Sequence, residues 1–190
     1  SGPADGVLLS YAGSTGGVTV NLATNAASGG HAQGDTISGF QHLIGSGQND
    51  TLTGSAAANT IDAGNGNDLV QGGAGADSLI GGGGTDELSY ANASADVSDG
   101  RSGVTVTLSS GTGIGSDAQG DTNSGFENLT GSEFFDSLTG DGANNVIAGL
   151  GGFDRILGGG GNDTIYGGAA NDTLGGEAGL DSLYGGDGLD

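Results

Sequence analysis

Along most of this chain the hydrophobic positions come singly and at a fixed interval. Leu52, Ile61, Val70, Leu79 and Leu88 stand nine residues apart among small or polar neighbours. Leu138, Ile147, Ile156, Ile165, Leu174 and Leu183 repeat the pattern further on. Two positions before each aliphatic stands an acid or its amide: Asp50, Asn59, Asp68, Asp77 and Asp86, then Asp136, Asn145, Asp154, Asp163, Asp172 and Asp181, with Asp190 next in step. Neither array slips register. A triplet with one central aliphatic predicts a very short strand with a single inward side chain, because successive side chains alternate faces. The six residues between triplets are rich in glycine, which turns the backbone sharply and takes positive φ at little steric cost. Turn, strand, turn, strand is one coil of a flattened solenoid. Residues eighteen apart then stack in adjacent coils, about 4.8 Å from one another.

Outside the arrays the pattern changes. Val7 to Tyr11 is a short apolar run, and Gly17 to Leu22 alternates as a half-buried strand. Residues 23–33 are small and polar and read as a loop. Leu43 stands nine before Leu52, so the solenoid is expected to start one coil ahead of its glycine-rich turns. The same sequence of events recurs: Ser89-Tyr90 echoes Ser10-Tyr11, Gly103 to Leu108 echoes Gly17 to Leu22, and Gly120 to Ser132 repeats Gly34 to Ser46 at nine of thirteen positions. Extra residues near Asp96 to Ser102 absorb the difference in spacing. The predicted organisation is a tandem duplication. Residues 1–88 are an opening block and a first array (nonapeptides 45–89); residues 89–190 are a second opening block and array (nonapeptides 131–190). The second block either continues the solenoid or caps the first array. Asp190 is the sixth position of an unfinished unit, so the chain reads as part of something longer.

Charge gives the arrays a chemistry. The chain has 46 Gly, 23 acidic residues and two basic ones (Arg101 and Arg155), for a formal net charge of −21. Almost nothing here can neutralise phosphates, which argues against nucleic acid and anionic membrane surfaces as partners. No hydrophobic run is long enough to span a bilayer, the first residues do not read as a signal peptide, and cysteine is absent. An aromatic content of 5% with so much glycine is close to the composition of a disordered chain. Carboxylates stacked eighteen residues apart repel unless something positive lies between them. Glycine-rich turns expose carbonyl oxygens, and carboxylate with carbonyl is the ligand set of a hard cation such as Ca²⁺. The expectation is a loose chain without calcium and an ordered one with it.

The units 72–80 (GGAGADSLI) and 158–166 (GGGGNDTIY) carry a named resemblance. They match the nonapeptide G-G-x-G-x-D-x-U-x at every specified position, so the chain resembles the RTX (hemolysin-type) repeats of type I secreted bacterial proteins. The two arrays cover about 105 of the 190 residues. The resemblance implies an all-β fold, a right-handed parallel β-roll that binds several Ca²⁺ ions and folds outside the cell. Within it, calcium sits between stacked turns. One turn gives carbonyls of its first and third residues and a group at its fifth; the turn eighteen residues on gives carbonyls of its second and fourth and the sixth-position Asp. Carried over, one site uses Gly158, Gly160 and Asn162 with Gly179 and Asp181, Glu177 standing where a glycine is usual. Another uses Gly140, Gly142 and Asn144 with Gly159, Gly161 and Asp163.

The same carry-over marks Gly45, Gly47, Asn49 and Asp50; Gly64, Gly66, Asn67 and Asp68; Gly73, Gly75 and Asp77; and Gly82, Gly84 and Asp86 in the first array. In the second it marks Asp136; Gly149, Gly151 and Asp154; Gly167, Gly168, Asn171 and Asp172; and Gly186, Gly188 and Asp190. Five turns in one array and seven in the other allow at most three and five stacked pairs. Asn59 and Asn145 remove a charge, the turn 54–59 has lost most of its glycines, and Phe153 and Leu180 occupy fifth positions, so fewer than eight ions are expected.

Other chemistry is thin. No G-x-S-x-G, P-loop or H-E-x-x-H motif occurs, and no nucleophile–base or paired-acid constellation stands out, so no enzyme is read here. His31 and His42, which become Asp117 and Asn128 in the second copy, are read as exposed loop or strand residues. Asp35 and Asp121 recur with their neighbours and are read as structural caps. Tyr166 and Tyr184, eighteen apart at an outward position, should stack on one face, as cross-strand packing or as a sugar-stacking platform. Two function classes follow: a calcium-dependent folding or secretion module of a larger secreted or surface protein, or a calcium-dependent adhesion or carbohydrate-binding module. Surface polysaccharide and neighbouring domains of a longer chain are the expected partners besides calcium.

Overall fold

The computed structural model describes residues 6–95 and 103–190. Among them every aliphatic of the nine-residue rhythm sits in a strand. The first opening block forms β1 (Leu8–Ser10), β2 (Thr19–Asn21), β3 (Ala26–Ser28) and β4 (His42–Ile44). The first array forms β5 (Thr51–Thr53), β6 (Thr60–Asn65), β7 (Leu69–Gln71), β8 (Ser78–Gly83) and β9 (Glu87–Ser89). The second block forms β10 (Thr105–Thr107), β11 (Thr112–Ile114), β12 (Thr122–Ser124) and β13 (Asn128–Thr130). The second array forms β14 (Ser137–Thr139), β15 (Val146–Gly151), β16 (Arg155–Gly160), β17 (Thr164–Ala169), β18 (Thr173–Ala178) and β19 (Ser182–Asp187).

These strands make two sheets. The ten-stranded sheet runs β1-β4-β6-β8-β12-β11-β10-β14-β16-β18, and the nine-stranded sheet runs β19-β17-β15-β13-β9-β7-β5-β2-β3. Within an array consecutive strands alternate between sheets, and strands eighteen residues apart pair in parallel, as in Ile61 with Leu79 and Ile147 with Ile165. The architecture is the expected all-β, parallel β-roll. Its core is a file of single side chains: Leu43, Leu52, Ile61, Val70, Leu79, Leu88, Leu129, Leu138, Ile147, Ile156 and Ile165 are all at most 1% exposed. Leu43 belongs to this file, so the roll does begin a coil ahead of the glycine-rich turns.

Residues 23–33 depart from the loop expected of them. Ala26–Ser28 turns back at Asn25, whose φ is 57°, and pairs antiparallel with β2. The second copy does the same through Gly111, at φ 64°. Ala26-Ala27-Ser28 has no hydrophobic alternation to announce a strand; its pairing comes from the adjacent β2, which tertiary context supplies. A 3-10 turn, Gly30–Ala32, follows.

At the junction the second block continues the solenoid. β9 pairs with β13, matching Leu88 to Leu129, and β8 pairs with β12, matching Leu79 to Asn123. The β10–β11 hairpin is then inserted between β12 and β14 in one sheet only. Five strands separate the two blocks. Each strand changes sheet, so an odd number places equivalent elements in opposite sheets: β2 and β5 in the nine-stranded one, β10 and β14 in the other. Ser1 to Asp5 and the insertion carrying Asp96, Asp99 and Arg101 lie outside the described residues.

Candidate metal centre

The sixth-position acids line the two long edges of the roll, where the chain crosses between sheets. Apart from Asp50 and Asp136, each acid uses one carboxylate oxygen in the same way, accepting the backbone N–H of the sixth residue in the preceding coil. On one edge the N–H of Asp50 donates to Asp68 Oδ1 (2.7 Å), Asp68 to Asp86 (2.9 Å), Asn145 to Asp163 (2.8 Å) and Asp163 to Asp181 (3.0 Å). On the other, Asn59 donates to Asp77 Oδ1 (2.7 Å), Asp136 to Asp154 (2.8 Å), Asp154 to Asp172 (2.8 Å) and Asp172 to Asp190 (2.9 Å).

The second oxygen is left over. Oδ2 of Asp68, Asp77, Asp86, Asp154, Asp163 and Asp172 is buried and meets no hydrogen-bond donor. Burying a carboxylate without a partner is costly, and the acidities register it. Burial raises the carboxyl of Asp68 to about 6 and those of Asp77 and Asp154 to about 7, against the pull of the N–H bond each accepts. Neighbouring acids add to the rise. Asp86, Asp163 and Asp172 are raised for the same first reason, burial.

The backbone around these oxygens is packed closely. A methyl group at Gly84 would lie 1.7 Å from the Gly66 carbonyl oxygen, and one at Gly179 would lie 1.6 Å from that of Gly161. Both glycines have strongly positive φ, at 145° and 146°. Second- and fourth-position residues of one turn thus sit over the carbonyls of the turn before, bringing together Gly64 and Gly66 with the turn of Gly45 and Gly47, and Gly159 and Gly161 with that of Gly140 and Gly142. Gly73 and Gly75 lie over Ser55 and Ala57, Gly168 over Leu150, Gly186 over Gly168, and Gly188 over Ala170. Where another residue stands in such a position it takes the glycine conformation: Leu150 at φ 78°, Ala170 at 84° and Glu177 at 67°.

Among the described residues no cluster of three or more His, Cys, Asp or Glu side chains forms. The donor set is one carboxylate oxygen per turn with backbone carbonyls, which suits a hard divalent cation that takes many oxygens. The comparison with known families agrees. A model described as the RTX calcium-binding nonapeptide repeat matches residues 35–70, 62–94, 121–156, 139–174, 149–183 and 157–190. The chain belongs to this family. A comparison with curated proteins finds no match. RTX nonapeptides bind Ca²⁺, so this is a calcium-binding repeat protein, in a structural rather than enzymatic family typical of secreted bacterial proteins. No helix among the described residues is long and apolar enough to cross a membrane.

The RTX turns of this chain are not all alike. Asp50 and Asp136 have no spare oxygen. Asp50 accepts from Val18 N–H (2.7 Å), Ser46 N–H (2.5 Å) and Ser46 Oγ (2.8 Å). Asp136 accepts from Val104 N–H (2.7 Å), Ser132 N–H (2.6 Å) and Ser132 Oγ (2.9 Å). Both follow an opening block, and the block's backbone fills the place of a neighbouring turn. The serines that complete the pair were visible as a repeat, Gly45-Ser46 and Gly131-Ser132, but only the fold shows what they hold.

The amides at Asn59 and Asn145 have a structural reason too. Nδ2 of Asn59 donates to the Gln41 carbonyl (3.1 Å), and Nδ2 of Asn145 to the Glu127 carbonyl (2.8 Å). Each is the first turn stacked on an opening-block loop, so a donor closes the join directly. Fifth-position asparagines form a ladder that sequence reasoning missed. Oδ1 of Asn49 accepts from Asn67 N–H (2.9 Å), Asn144 from Asn162 (2.7 Å), Asn162 from Leu180 (2.8 Å) and Asn171 from Leu189 (2.9 Å).

Asp121 is a structural cap: it accepts Asp77 N–H (2.8 Å) and the Tyr90 hydroxyl (2.9 Å). Asp35 accepts the Tyr11 hydroxyl (2.9 Å). Tyr166 and Tyr184 stack as expected, with centroids 5.1 Å apart and planes 13° from parallel.

Proposed function

We propose that this chain is a calcium-driven folding module of a larger secreted or surface protein, loose at cytosolic calcium, exported unfolded by a type I route and ordered outside. The observation that carries the reading is the set of six buried, unpartnered carboxylate oxygens in the nonapeptide turns. One aliphatic per nine residues gives the roll little hydrophobic stabilisation against the entropy of ordering so much glycine. The six oxygens add a penalty that a divalent cation would remove.

The residues that would hold the ion are the spare oxygens of Asp68, Asp77, Asp86, Asp154, Asp163 and Asp172, with carbonyls of their own and the preceding turn. For Asp163 these are Gly140 and Gly142 below, Gly159 and Gly161 beside it. For Asp68 they are Gly45, Gly47, Gly64 and Gly66. Bound calcium supplies positive charge and a many-oxygen coordination shell. The chain's own part is to present the oxygens at coil spacing and to shield them from water. Asp50 and Asp136, with full hydrogen bonding, act as anchors to the opening blocks.

Circular dichroism during a calcium titration, with magnesium as control, tests this. A cooperative rise in β signal between ~0.1 and ~2 mM calcium that magnesium does not produce is expected. A chain already fully folded in chelator overturns it. A carbohydrate-binding role is the second reading, resting on the exposed Tyr166–Tyr184 pair. The rings spend a face on one another, which favours packing, and a glycan array in calcium decides it.

A further inference from the structure

Asn65-Gly66 is the one Asn-Gly pair in the sequence, at the third and fourth positions of the turn 63–68. Its chemistry sets it apart from the other asparagines of the arrays. A backbone nitrogen can attack the side-chain amide of an asparagine that precedes it. Glycine removes the Cβ that obstructs the approach and lets the chain rotate into it. Asn49, Asn67, Asn162 and Asn171 are each followed by Asp, whose side chain hinders that step. Asp141-Gly142 and Asp187-Gly188 offer carboxyl groups, which have no ammonia to lose.

In the roll the geometry holds the reaction off. Asn65 ends β6 and pairs in register with Gly83 of β8. The attacking nitrogen is committed, because Gly66 N–H donates to the Gly83 carbonyl (2.9 Å). That bond opposes loss of the proton, and the pairing blocks the backbone rotation that ring closure needs. The side chain itself meets water, since Asn65 is exposed. Protection therefore comes from the turn stacked above, not from burial.

We propose that Asn65 is a site of spontaneous deamidation, open in the calcium-free chain and closed in the roll, which gives the unfolded state a limited chemical lifetime. This rests on the calcium-driven folding set out above. Gly66 N gives up its proton to water and attacks Asn65 Cγ; the N–Cγ bond forms, the Cγ–Nδ2 bond breaks, and ammonia leaves with a proton. Water then opens the cyclic imide at either carbonyl. One opening gives an aspartyl residue. The other gives an isoaspartyl residue, whose main chain runs through the side-chain carbon and is one atom longer. The turn has no room for the longer form. A methyl added at Gly82 would overlap the Gly64 carbonyl oxygen, and one at Gly84 that of Gly66, so the backbone on both sides of Asn65 touches the next turn. Gly64 and Gly66 are also held at φ 103° and 135°. An isoaspartyl link puts Gly66 out of step with Gly84 and pulls Asp68 N–H from Asp86 Oδ1, which it meets at 2.9 Å.

Mass spectrometry of the full chain, incubated at mildly alkaline pH in calcium, in chelator, and in chelator with urea, tests the proposal. Position 65 should exchange amide for acid before any other asparagine in chelator and in urea, and at least about tenfold more slowly in calcium. Asn65→Gln, which must close a larger and slower ring, should abolish the early change and leave the calcium-induced dichroism as it was. The isoaspartyl chain, separated by ion exchange and identified with an isoaspartyl methyltransferase, should regain less dichroism in calcium than the unmodified chain. Equal rates in calcium and urea, earlier reaction at another asparagine, or full refolding of the isoaspartyl chain each overturns it. Dichroism on the same samples reports calcium-driven folding separately. A chain folded and protected in chelator sinks that reading and the calcium gating together, while the urea arm still reports the reactivity of the site.

Discussion

Changing Asp154 to asparagine should stabilise the roll without calcium and lose that advantage with it. In the wild-type chain Oδ1 of Asp154 accepts Asp136 N–H, and Oδ2 is buried without a donor. A carboxyl held at about 7 instead of 3.8 costs at most about 4 kcal/mol to keep ionised at neutral pH. Because the turn lies at the edge of the roll, where solvent screens charge, we take about half, ~2 kcal/mol. Asp154→Asn removes that charge and keeps the acceptor, and Asn145 shows that the register tolerates an amide. In chelator the variant should therefore be more stable by about 2 kcal/mol. In calcium the wild type gains about 1.8 kcal/mol that the variant forgoes, the mass-action contribution of one site with a dissociation constant near 0.1 mM at 2 mM ion, so the variant's advantage should vanish and the two chains should be about equally stable. The assay is dichroism during folding by an excluded osmolyte in chelator, which brings a weak transition into range, and during urea unfolding in calcium. A variant that weakens the roll in chelator, or that keeps its full advantage in calcium, would refute the reasoning.

Without metal, Asp68, Asp77 and Asp154 have raised pKa values in the fold, so the folded chain binds more protons than the unfolded one. Their stabilising effect is complete below about pH 4 and is lost as pH rises through about 6 to 7; the osmolyte midpoint in chelator should rise with pH. With calcium the sign reverses, because protons compete with the ion, and the calcium midpoint measured by dichroism should increase as pH falls. Gly84→Ala, at φ 145° and with its methyl 1.7 Å from a carbonyl oxygen, should cost about 3 kcal/mol or more. Gly142→Ala, with nothing within 4 Å of its added methyl, should stay within about 0.5 kcal/mol in the same calcium-buffered urea melts. Asn145→Asp replaces the donor to the Glu127 carbonyl with a carboxylate oxygen, and should lower stability in chelator by about 2 kcal/mol, read as a higher osmolyte midpoint.

Much of the roll was legible because its repeat is one-dimensional. A single aliphatic such as Ile156 can only point inward from a three-residue strand, and glycines on either side can only turn, so spacing determined strand, edge and stacking partner together. The same spacing placed Asp163 over Asn145 and Tyr184 over Tyr166, and the family motif identified the ligand chemistry. Hydrogen bonding beyond the repeat was not legible. Asp50 and Asp68 occupy the same position in their units, yet one carboxylate is saturated by Val18 and Ser46 and the other keeps a buried free oxygen. The difference lies in what stacks on each turn, an opening block or another turn.

The β2–β3 hairpin and the exchange of sheets between the two copies were likewise decided by tertiary structure. Ala26-Ala27-Ser28 becomes a strand because β2 lies beside it. The exchange follows because five strands, an odd number of half-coils, separate blocks whose sequences are nearly the same. Local sequence sets what each nonapeptide can do; the identity of the neighbouring coil sets whether its Asp is an anchor, a join or an unpaired charge.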